Sequence, residues 1–297
     1  MVTSLSSDVM PIGAVTAIAV ATRVGLVDVK LEATITDDGK SLVLRLATAS
    51  GYVIAKRAAR EAIMRDELAF GTLLPAAGLA APNVRGVVDD VDPALAWILV
   101  AAVDGRPYDP ASRDPELLAR WLARVHEHPW IAYGGLPERD EGYHLRRVLG
   151  ARSTLAQRLA DAEDTDDRWV IARSLALTES IERHWSHCTS LAAWLPQSVV
   201  HGDLAPENAL IDHDRVFVLD WEKAAWGNPA IDIARVDTDA YARARDIDPA
   251  AITAAVRYGA LVRTLSHNWA AKPLSSLARF TRRLERELAS AISEVGS

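Results

Sequence analysis

Residues 198–222 read Ser-Val-Val-His-Gly-Asp-Leu-Ala-Pro-Glu-Asn-Ala-Leu-Ile-Asp-His-Asp-Arg-Val-Phe-Val-Leu-Asp-Trp-Glu. This pattern predicts an apolar strand that leads into His201-Gly-Asp203 and a turn, with Asn208 five residues after Asp203. Two short strands joined by a polar turn follow, and Asp220 stands at the end of the second. A lone aspartate in such a turn is more often a cap or a solvated group, so the interpretation depends on the spacing of all three polar side chains.

The residues N-terminal to this segment are rich in strand patterns. Residues 27–57 predict a three-strand meander, and a helix is expected from about residue 59 to residue 74. The apolar runs at 84–88 and 97–103 are short enough to be two further strands. The first hundred residues therefore predict a small sheet with one helix after its third strand.

Helical patterns dominate the remaining chain. Asp114-Pro115 and Asp248-Pro249 each combine a capping carboxylate with proline at the first helical position. Residues 151–194 are helical in pattern, and the last helix places its apolar residues on one face. Its predicted apolar face consists of Leu277, Phe280, Leu284, Leu288 and Ile292. A strand-rich first third and a helical remainder indicate an α+β fold in two lobes.

Composition and charge exclude several classes of protein. The 297 residues carry a net charge of −7, so nucleic acid is not an expected partner. The single cysteine, Cys188, favours a reducing compartment. Residues 9–27 are apolar and nearly long enough to span a membrane, but Arg23 interrupts them and Asp8 precedes them. We therefore expect a cytoplasmic protein without a membrane partner, whose residues 9–27 form a buried helix or strand.

The residue types in the 198–222 segment suit phosphoryl transfer. The transition state of that reaction spreads charge over phosphate oxygens, so catalysis consists mainly of positioning and charge neutralisation. Magnesium prefers oxygen ligands, which the Asp220 carboxylate and the Asn208 amide oxygen would supply. A further carboxylate, Asp203, would orient a substrate hydroxyl and accept its proton. We therefore predict Asp203 as the catalytic residue and Asn208 and Asp220 as magnesium ligands.

Three blocks of sequence resemble one family of enzymes. They are His201-Gly-Asp-Leu-Ala-Pro-Glu-Asn208, Val218-Leu-Asp-Trp-Glu222 and Gly227-Asn-Pro-Ala-Ile-Asp-Ile-Ala234. Together, and in this order, they resemble the aminoglycoside phosphotransferase family of small-molecule kinases. The resemblance implies that His201 supports the catalytic turn and that Asp232 fixes this turn through hydrogen bonds to the backbone. Asn228 stands where the family often has aspartate.

The resemblance also implies a fold and cofactors. It implies a protein-kinase-like fold in which residues 1–101 form an ATP-binding lobe and residues 102–297 form a helical catalytic and substrate-binding lobe. The hinge is expected at about 98–105. The implied cofactors are ATP, with GTP as an alternative, and Mg²⁺. The implied activity moves the γ-phosphate to a hydroxyl of an aminoglycoside-like molecule or another natural product.

The ATP-binding lobe of such a kinase needs a lysine for the α- and β-phosphates. Lys56, on the third predicted strand, fits this role. We expect Glu67 on the following helix to pair with Lys56, and Glu61 is an alternative that could instead pair with a surface arginine. We expect adenine to bond to backbone groups near Val100 and Ala102, at the end of the last strand.

The substrate is less well defined by the sequence. The region after Asp232 is acidic, with Asp237, Asp239, Asp246 and Asp248, and an acidic pocket would attract a cationic substrate. The opposing interpretation is that these residues are helix caps or surface charges. Family substrates also include amino sugars, choline and homoserine, so a metabolite kinase is an alternative. A nucleotide-binding module without catalysis is a further alternative, which the presence of all the catalytic residue types disfavours.

Overall fold

The computed structural model describes residues 12–130, 135–266 and 268–293. In chain order, the elements up to residue 127 are α1 (Ile12–Arg23), β1 (Lys30–Asp37), β2 (Leu42–Thr48), β3 (Gly51–Ala59), α2 (Arg60–Leu68), a π-helical turn (Ala69–Leu73), α3 (Leu74–Ala76), β4 (Val84–Asp89), β5 (Leu95–Ala101), β6 (Arg106–Pro107) and α4 (Asp114–Glu127). They are followed by β7 (Glu138–Arg139), α5 (Glu141–Asp161), α6 (Thr165–Ser190), β8 (Ser198–Val200), a 3₁₀ turn (Pro206–Asn208), β9 (Ala209–Asp212), β10 (Arg215–Val218), β11 (Ala225–Gly227), α7 (Ala230–Ile233), α8 (Thr238–Arg245), α9 (Pro249–Leu265) and α10 (Leu274–Ile292).

The chain divides into two compact units. The first comprises Met1–Leu117 and Ala205–Lys223, and the second comprises Leu118–Leu204 and Ala224–Ser297. Ala205–Lys223 joins the first unit through backbone pairing, because its strand β9 pairs with β6, which lies within Met1–Leu117, and β10 pairs with β9. The division into lobes at residues 101 and 102 stays a prediction, and these units show that the chain returns to its N-terminal part for the β9–β10 hairpin.

The first unit is built on an antiparallel sheet with the strand order β1-β2-β3-β5-β4. The predicted meander corresponds to β1, β2 and β3, and the two further predicted strands are β4 and β5. Residues 9–27 contain α1, so the helical alternative is correct for the described part of that segment. The small side chains Ala14, Ala17 and Ala21 of α1 are buried in a core that includes Leu44 and Trp97.

The predicted helix at 59–74 is present but is not a uniform α-helix. It consists of α2, the π-helical turn and α3, which extends to Ala76. Pro75 has no N–H and cannot donate to the Gly71 carbonyl, so the regular α-helical bond is missing where the π turn ends. The predicted stop at Pro75 is therefore slightly early, and Gly78, with φ +66°, follows the helix.

The second unit is mainly helical. The helical region predicted at 151–194 is two helices, α5 and α6, separated by a break in which Asp164 caps α6. The predicted face of α10 is buried at Leu277, Leu284 and Leu288, whereas Phe280 is half-buried and stacks on Trp269. A short sheet with the order β7-β11-β8 accompanies the helices.

Close backbone packing fixes α7 against α9. A Cβ atom added to Gly259 of α9 would lie 1.9 Å from the carbonyl oxygen of Ala230 in α7. Only glycine allows this approach. Because α7 carries Asp232, the contact bears on the position of that carboxylate.

None of the helices within the described ranges combines the length and the apolar character needed to span a bilayer.

Candidate active site

The ammonium group of Lys56 lies between two carboxylates of the first unit. Its Nζ atom is 2.8 Å from Asp66 Oδ2 and 2.6 Å from Asp220 Oδ1. Lys56 is on β3, Asp66 is on α2, and Asp220 follows β10, so three distant parts of the sequence meet at one cation. Asp66 also accepts a 2.7 Å hydrogen bond from the backbone N–H of Trp221. The predicted phosphate-binding lysine and a predicted magnesium ligand are therefore in direct contact.

Opposing effects determine the pKa of Lys56. Burial lowers it, whereas the charges of Asp66 and Asp220 and the hydrogen bonds to both raise it, and the net pKa lies above the ordinary value for lysine. Burial raises the pKa of Asp66, and the charge of Lys56 opposes that rise. Lys56 is therefore a cation at neutral pH, the state that attracts phosphate oxygens.

The partner predicted for Lys56 on the helix was wrong by one residue. Asp66, not Glu67, contacts Lys56, and Asp66 is only 1% exposed whereas Glu67 is half-buried. Successive helical residues point about 100° apart, and Asp66 lies on the buried face of α2 together with Ala62 and Ile63. The alternative partner, Glu61, forms an ion pair with Arg65 instead. This agrees with the interpretation that Glu61 pairs with a surface arginine.

Asn208 and Asp220 lie at the same end of the β9–β10 hairpin. The ladder places Ala209 opposite Val218. One more backbone bond, 2.8 Å from the Leu219 N–H to the Asn208 carbonyl oxygen, extends the ladder by a residue. The hairpin thus brings the two predicted magnesium ligands to one edge of the first unit.

The residue types at this edge fit magnesium. Asp220 has a φ of +64°, which is uncommon for a residue other than glycine, and its side chain is 44% exposed. Its carboxylate and the amide oxygen of Asn208 are hard oxygen donors, and Mg²⁺ usually takes only one or two such side chains, with waters and phosphate oxygens completing its shell. Within the described residues, no three His, Cys, Asp or Glu side chains cluster to hold a metal.

The turn that carries Asp203 belongs to the second unit and is fixed by Asp232. The buried Asp232 carboxylate accepts hydrogen bonds of 2.6 Å from the His201 N–H and 3.0 Å from the Gly202 N–H. The His201 ring accepts a 3.3 Å bond at Nδ1 from the Asp203 N–H. The bonds expected between Asp232 and the turn are thus present, while the catalytic role of the turn stays a prediction.

A buried histidine lies beside Asp232 and was not among the predicted site residues. His126 Nδ1 is 2.9 Å from the hydroxyl of Tyr241, and its Nε2 is 3.8 Å from Asp232 Oδ2. Burial lowers the pKa of His126 and outweighs the nearby Asp232 carboxylate, so the ring is neutral at neutral pH. The sequence patterns gave no signal for this position.

The backbone groups predicted to bind adenine are already used in part. Val100 lies within the sheet and pairs with Ile54 on one side and Val84 on the other. The Ala102 N–H donates a 3.0 Å hydrogen bond to the Tyr52 carbonyl. The prediction that these residues offer free backbone groups to a base therefore needs correction, because strand pairing occupies Val100 and the Ala102 N–H, and leaves the Ala102 carbonyl as the candidate acceptor.

The acidic residues of the predicted substrate region mostly serve the helices. Asp237 caps α8 by accepting from the Ala240 N–H, and Asp248 caps α9 by accepting from the Ala250 N–H. Asp246 is the left-handed residue that ends α8. This agrees with the opposing interpretation of these residues as helix caps, and it removes most of the support for an acidic pocket formed by this segment.

Comparison with known proteins gives the family. The model of the phosphotransferase enzyme family (APH) matches residues 33–289. This chain belongs to the phosphotransferase enzyme family. The resemblance on which the site was predicted is therefore confirmed for nearly the whole chain.

A curated relative of this phosphotransferase-family chain matches over a short stretch. Protein LicA of Haemophilus influenzae (strain ATCC 51907 / DSM 11121 / KW20 / Rd) is 44% identical over 41 residues, which are 14% of this chain and 15% of LicA. The match therefore spans a small part of LicA, and no activity of LicA is assigned to this chain.

Solved structures give the fold of this phosphotransferase-family chain. The GDP and kanamycin complex of APH(2")-IIIa has a TM-score of 0.65 at 12% identity and covers 94% of this chain and 99% of that one. Spectinomycin phosphotransferase APH(9)-Ia with ADP and spectinomycin has a TM-score of 0.61 at 11% identity, covering 96% and 99%. A choline/ethanolamine kinase family protein from Mesorhizobium loti has a TM-score of 0.58 at 16% identity, covering 94% and 97%. The predicted kinase-like α+β fold is confirmed.

Proposed function

We propose that this phosphotransferase-family chain transfers the γ-phosphate of ATP to a hydroxyl group of a small molecule. The observation that carries the proposal is the contact of Lys56 Nζ with both Asp66 and Asp220. A lysine held between a buried carboxylate and an exposed one is a positioned cation with one partner that a ligand can compete for. Family membership over residues 33–289 supports the same chemistry.

Lys56 would neutralise charge on the nucleotide phosphates. Asp66 keeps its ammonium in place, because the buried carboxylate accepts both from Lys56 and from the Trp221 backbone. A charge that is oriented before the substrate arrives stabilises the transition state without further reorganisation. The bound nucleotide would be ATP, with GTP as the alternative, since the related structures hold ADP and GDP respectively.

Asn208 and Asp220 would bind the magnesium ion of the nucleotide. Such an ion, when bound, neutralises charge on the phosphate oxygens. The protein's own contribution is the hairpin that carries both oxygen donors at one end. The contact between Asp220 and Lys56 additionally keeps one carboxylate oxygen oriented.

Asp203 would orient the accepting hydroxyl and take its proton. Its turn is fixed by the bonds from the His201 and Gly202 N–H groups to Asp232, which restrict the backbone next to the carboxylate. A catalytic carboxylate on a restricted turn retains the geometry that in-line transfer requires.

The test combines two substitutions with nucleotide binding and turnover. We expect Asp203→Asn to reduce turnover by at least about a thousandfold while MgATP binding persists, and Asp220→Asn to weaken MgATP binding. Turnover is measured as phosphorylated product by mass spectrometry, and binding by calorimetry. Near-normal turnover by Asp203→Asn with its true substrate would exclude Asp203 as the proton acceptor.

The substrate class is tested with a panel of hydroxylated compounds. The first class is an aminoglycoside or another antibiotic, as in the related structures with kanamycin and spectinomycin, and would imply a role in resistance. The second class is a metabolite such as an amino sugar, choline or homoserine. We place the enzyme in the cytoplasm, where ATP is available and its single cysteine stays reduced.

A further inference from the structure

Two successive residues of α2 hold the two residues that follow Asp220. The backbone N–H of Trp221 donates a 2.7 Å hydrogen bond to Asp66 Oδ1. Arg65 contacts the next residue, because its Nη1 atom donates a 2.6 Å hydrogen bond to the backbone carbonyl oxygen of Glu222. All five residues belong to the first unit. The helix therefore holds the chain immediately after the predicted magnesium ligand.

The guanidinium group of Arg65 is itself held in position. Its Nη2 atom lies 3.3 Å from Glu61 Oε2, one helical turn earlier on α2. The Arg65 side chain is only 20% exposed, whereas that of Glu61 is 86% exposed. A charged donor makes a stronger hydrogen bond than a neutral one, and water competes less where the donor is partly buried. The short bond to the Glu222 carbonyl is therefore the stronger of the two contacts that Arg65 makes here.

The backbone at Asp220 adopts a conformation that its neighbours must maintain. Its φ of +64° lies in the left-handed region, which residues other than glycine seldom occupy. Such a conformation persists where the surrounding contacts determine it. Before it, the Leu219 N–H donates to the Asn208 carbonyl, and after it both Trp221 and Glu222 are bonded to α2. Asp220 is thus anchored through the main chain on both sides.

The contact made by Arg65 can be separated from the charges of the site. Arg65 bonds to the backbone of Glu222, whereas Lys56 is the residue that pairs with the carboxylates of Asp66 and Asp220. Replacing Asp66 would alter both a backbone bond and the charge beside Lys56. Replacing Arg65 leaves the ion pairs of Lys56 in place and removes support from the backbone that carries Asp220.

We propose that Arg65 is a positioning residue that sets the Asp220 carboxylate for magnesium. The proposal rests on the proposed function, in which Asp220 and Asn208 hold the ion of the nucleotide. Mg²⁺ requires near-ideal octahedral geometry with short bonds to oxygen, so its binding is sensitive to small displacements of a ligand. By fixing the carbonyl two residues after Asp220, Arg65 would restrict the movement of this carboxylate relative to Asn208.

The first test separates binding of the metal from binding of the nucleotide. Purified full-length protein is titrated with ATP by calorimetry, once with excess Mg²⁺ and once in EDTA. We expect Arg65→Gln to weaken MgATP binding at least about tenfold and metal-free ATP binding by no more than about twofold, because Lys56 keeps its contact with Asp66. Equal weakening with and without Mg²⁺, or no weakening, would overturn the proposal.

Arg60→Gln is the matched control on the same helix. Arg60 also donates from its guanidinium group to a backbone carbonyl, over 3.0 Å to Pro93 in the connection between β4 and β5. Its replacement removes the same charge from α2 and should change MgATP affinity by no more than about twofold. Arg65→Lys keeps a charged donor and should bind MgATP within about threefold of the wild type. A loss in Arg60→Gln as large as in Arg65→Gln would overturn the proposal.

The second test observes the backbone without metal or nucleotide. Amide hydrogen exchange is followed by mass spectrometry in EDTA for a peptide that contains residues 219–222. We expect exchange at least about tenfold faster in Arg65→Gln than in the wild type, and unchanged in Arg60→Gln. Unchanged exchange in Arg65→Gln would overturn the positioning role. If Arg65→Gln fails to fold, Glu61→Gln removes the exposed partner of Arg65 and should weaken MgATP about threefold; no weakening would then be the contrary result.

Asp220→Asn separates failure of this proposal from failure of the proposed function. If Asp220→Asn binds MgATP as the wild type does, the metal role of Asp220 is wrong and the proposal is overturned with it. If Asp220→Asn weakens MgATP binding and Arg65→Gln does not, the proposal alone is overturned. Weaker MgATP binding in both variants, with faster exchange in Arg65→Gln, would support Arg65 as the residue that positions Asp220.

Discussion

Replacing Asp66 by asparagine tests the central contact of the first unit. The substitution preserves the shape of the side chain and removes its charge. The new side chain would keep one oxygen for the Trp221 N–H, at present bonded over 2.7 Å, but would offer Lys56 an amide instead of a carboxylate. Lys56 would then depend on Asp220 alone, whose side chain is 44% exposed.

The expected cost follows from burial. Removing one partner of a buried ion pair costs about 3–5 kcal/mol when the other charge is left uncompensated. Lys56 retains its 2.6 Å contact with Asp220, so we expect a smaller loss of about 2–3 kcal/mol in the free energy of unfolding. At a typical dependence of about 1–3 kcal/mol per molar urea, the unfolding midpoint should fall by about 1 M. MgATP affinity should fall about tenfold, because the ammonium is less well oriented.

Urea unfolding followed by circular dichroism measures the stability, and calorimetry measures MgATP binding. Glu67→Gln is the matched control, because it removes the adjacent charge and preserves the side-chain shape. It should change the unfolding free energy by no more than about 0.5 kcal/mol. If Glu67→Gln were as costly as Asp66→Asn, or if Asp66→Asn were silent in both assays, the assignment of Asp66 as the partner of Lys56 would be refuted.

Two further predictions concern the second unit. Asp232→Asn should lower the unfolding free energy by about 2–4 kcal/mol, because an amide cannot accept from both the His201 and Gly202 N–H groups, and should also reduce kcat; unchanged urea midpoints would contradict this. Burial, with a smaller contribution from nearby arginines, lowers the pKa of His144 from 6.5 to about 4. The folded state therefore resists protonation, so the stability that His144 contributes is complete above pH 6.5 and is lost as the pH falls towards 4, by about 2 kcal/mol at pH 5. Urea midpoints at pH 7.5 and pH 5 should show this dependence, and His144→Leu should reduce it; an equal dependence in the variant would contradict the assignment.

The parts of the site that sequence analysis predicted correctly are those encoded by neighbouring residues. The β9–β10 hairpin, with Asn208 before its first strand and Asp220 after its second, follows from strand patterns within about a dozen residues. The contact of Lys56 with Asp220 joins residues 164 positions apart, and the sequence predicted only that both residues serve the nucleotide, not that they touch. Pairing across such distances is decided by the tertiary fold, which local patterns do not specify.

The error at Glu67 has a physical cause that the sequence did contain. Ala62, Ile63, Ala69 and Phe70 are buried on one face of the helix, and Asp66 falls on that same face by helical spacing. An acidic residue on an apolar face requires a buried partner, and Lys56 is that partner. The correction at Ala102, in contrast, could not have been made from the sequence, because no pattern of side chains shows whether a backbone N–H is already bonded.

The expectation of a cationic substrate has the same origin as these errors. Counting acidic residues after Asp232 favoured a cationic substrate, but a carboxylate that accepts from helix N–H groups, as Asp237 and Asp248 do, has its capacity for hydrogen bonds engaged locally. A charge influences ligand choice to the extent that the fold leaves it without a partner.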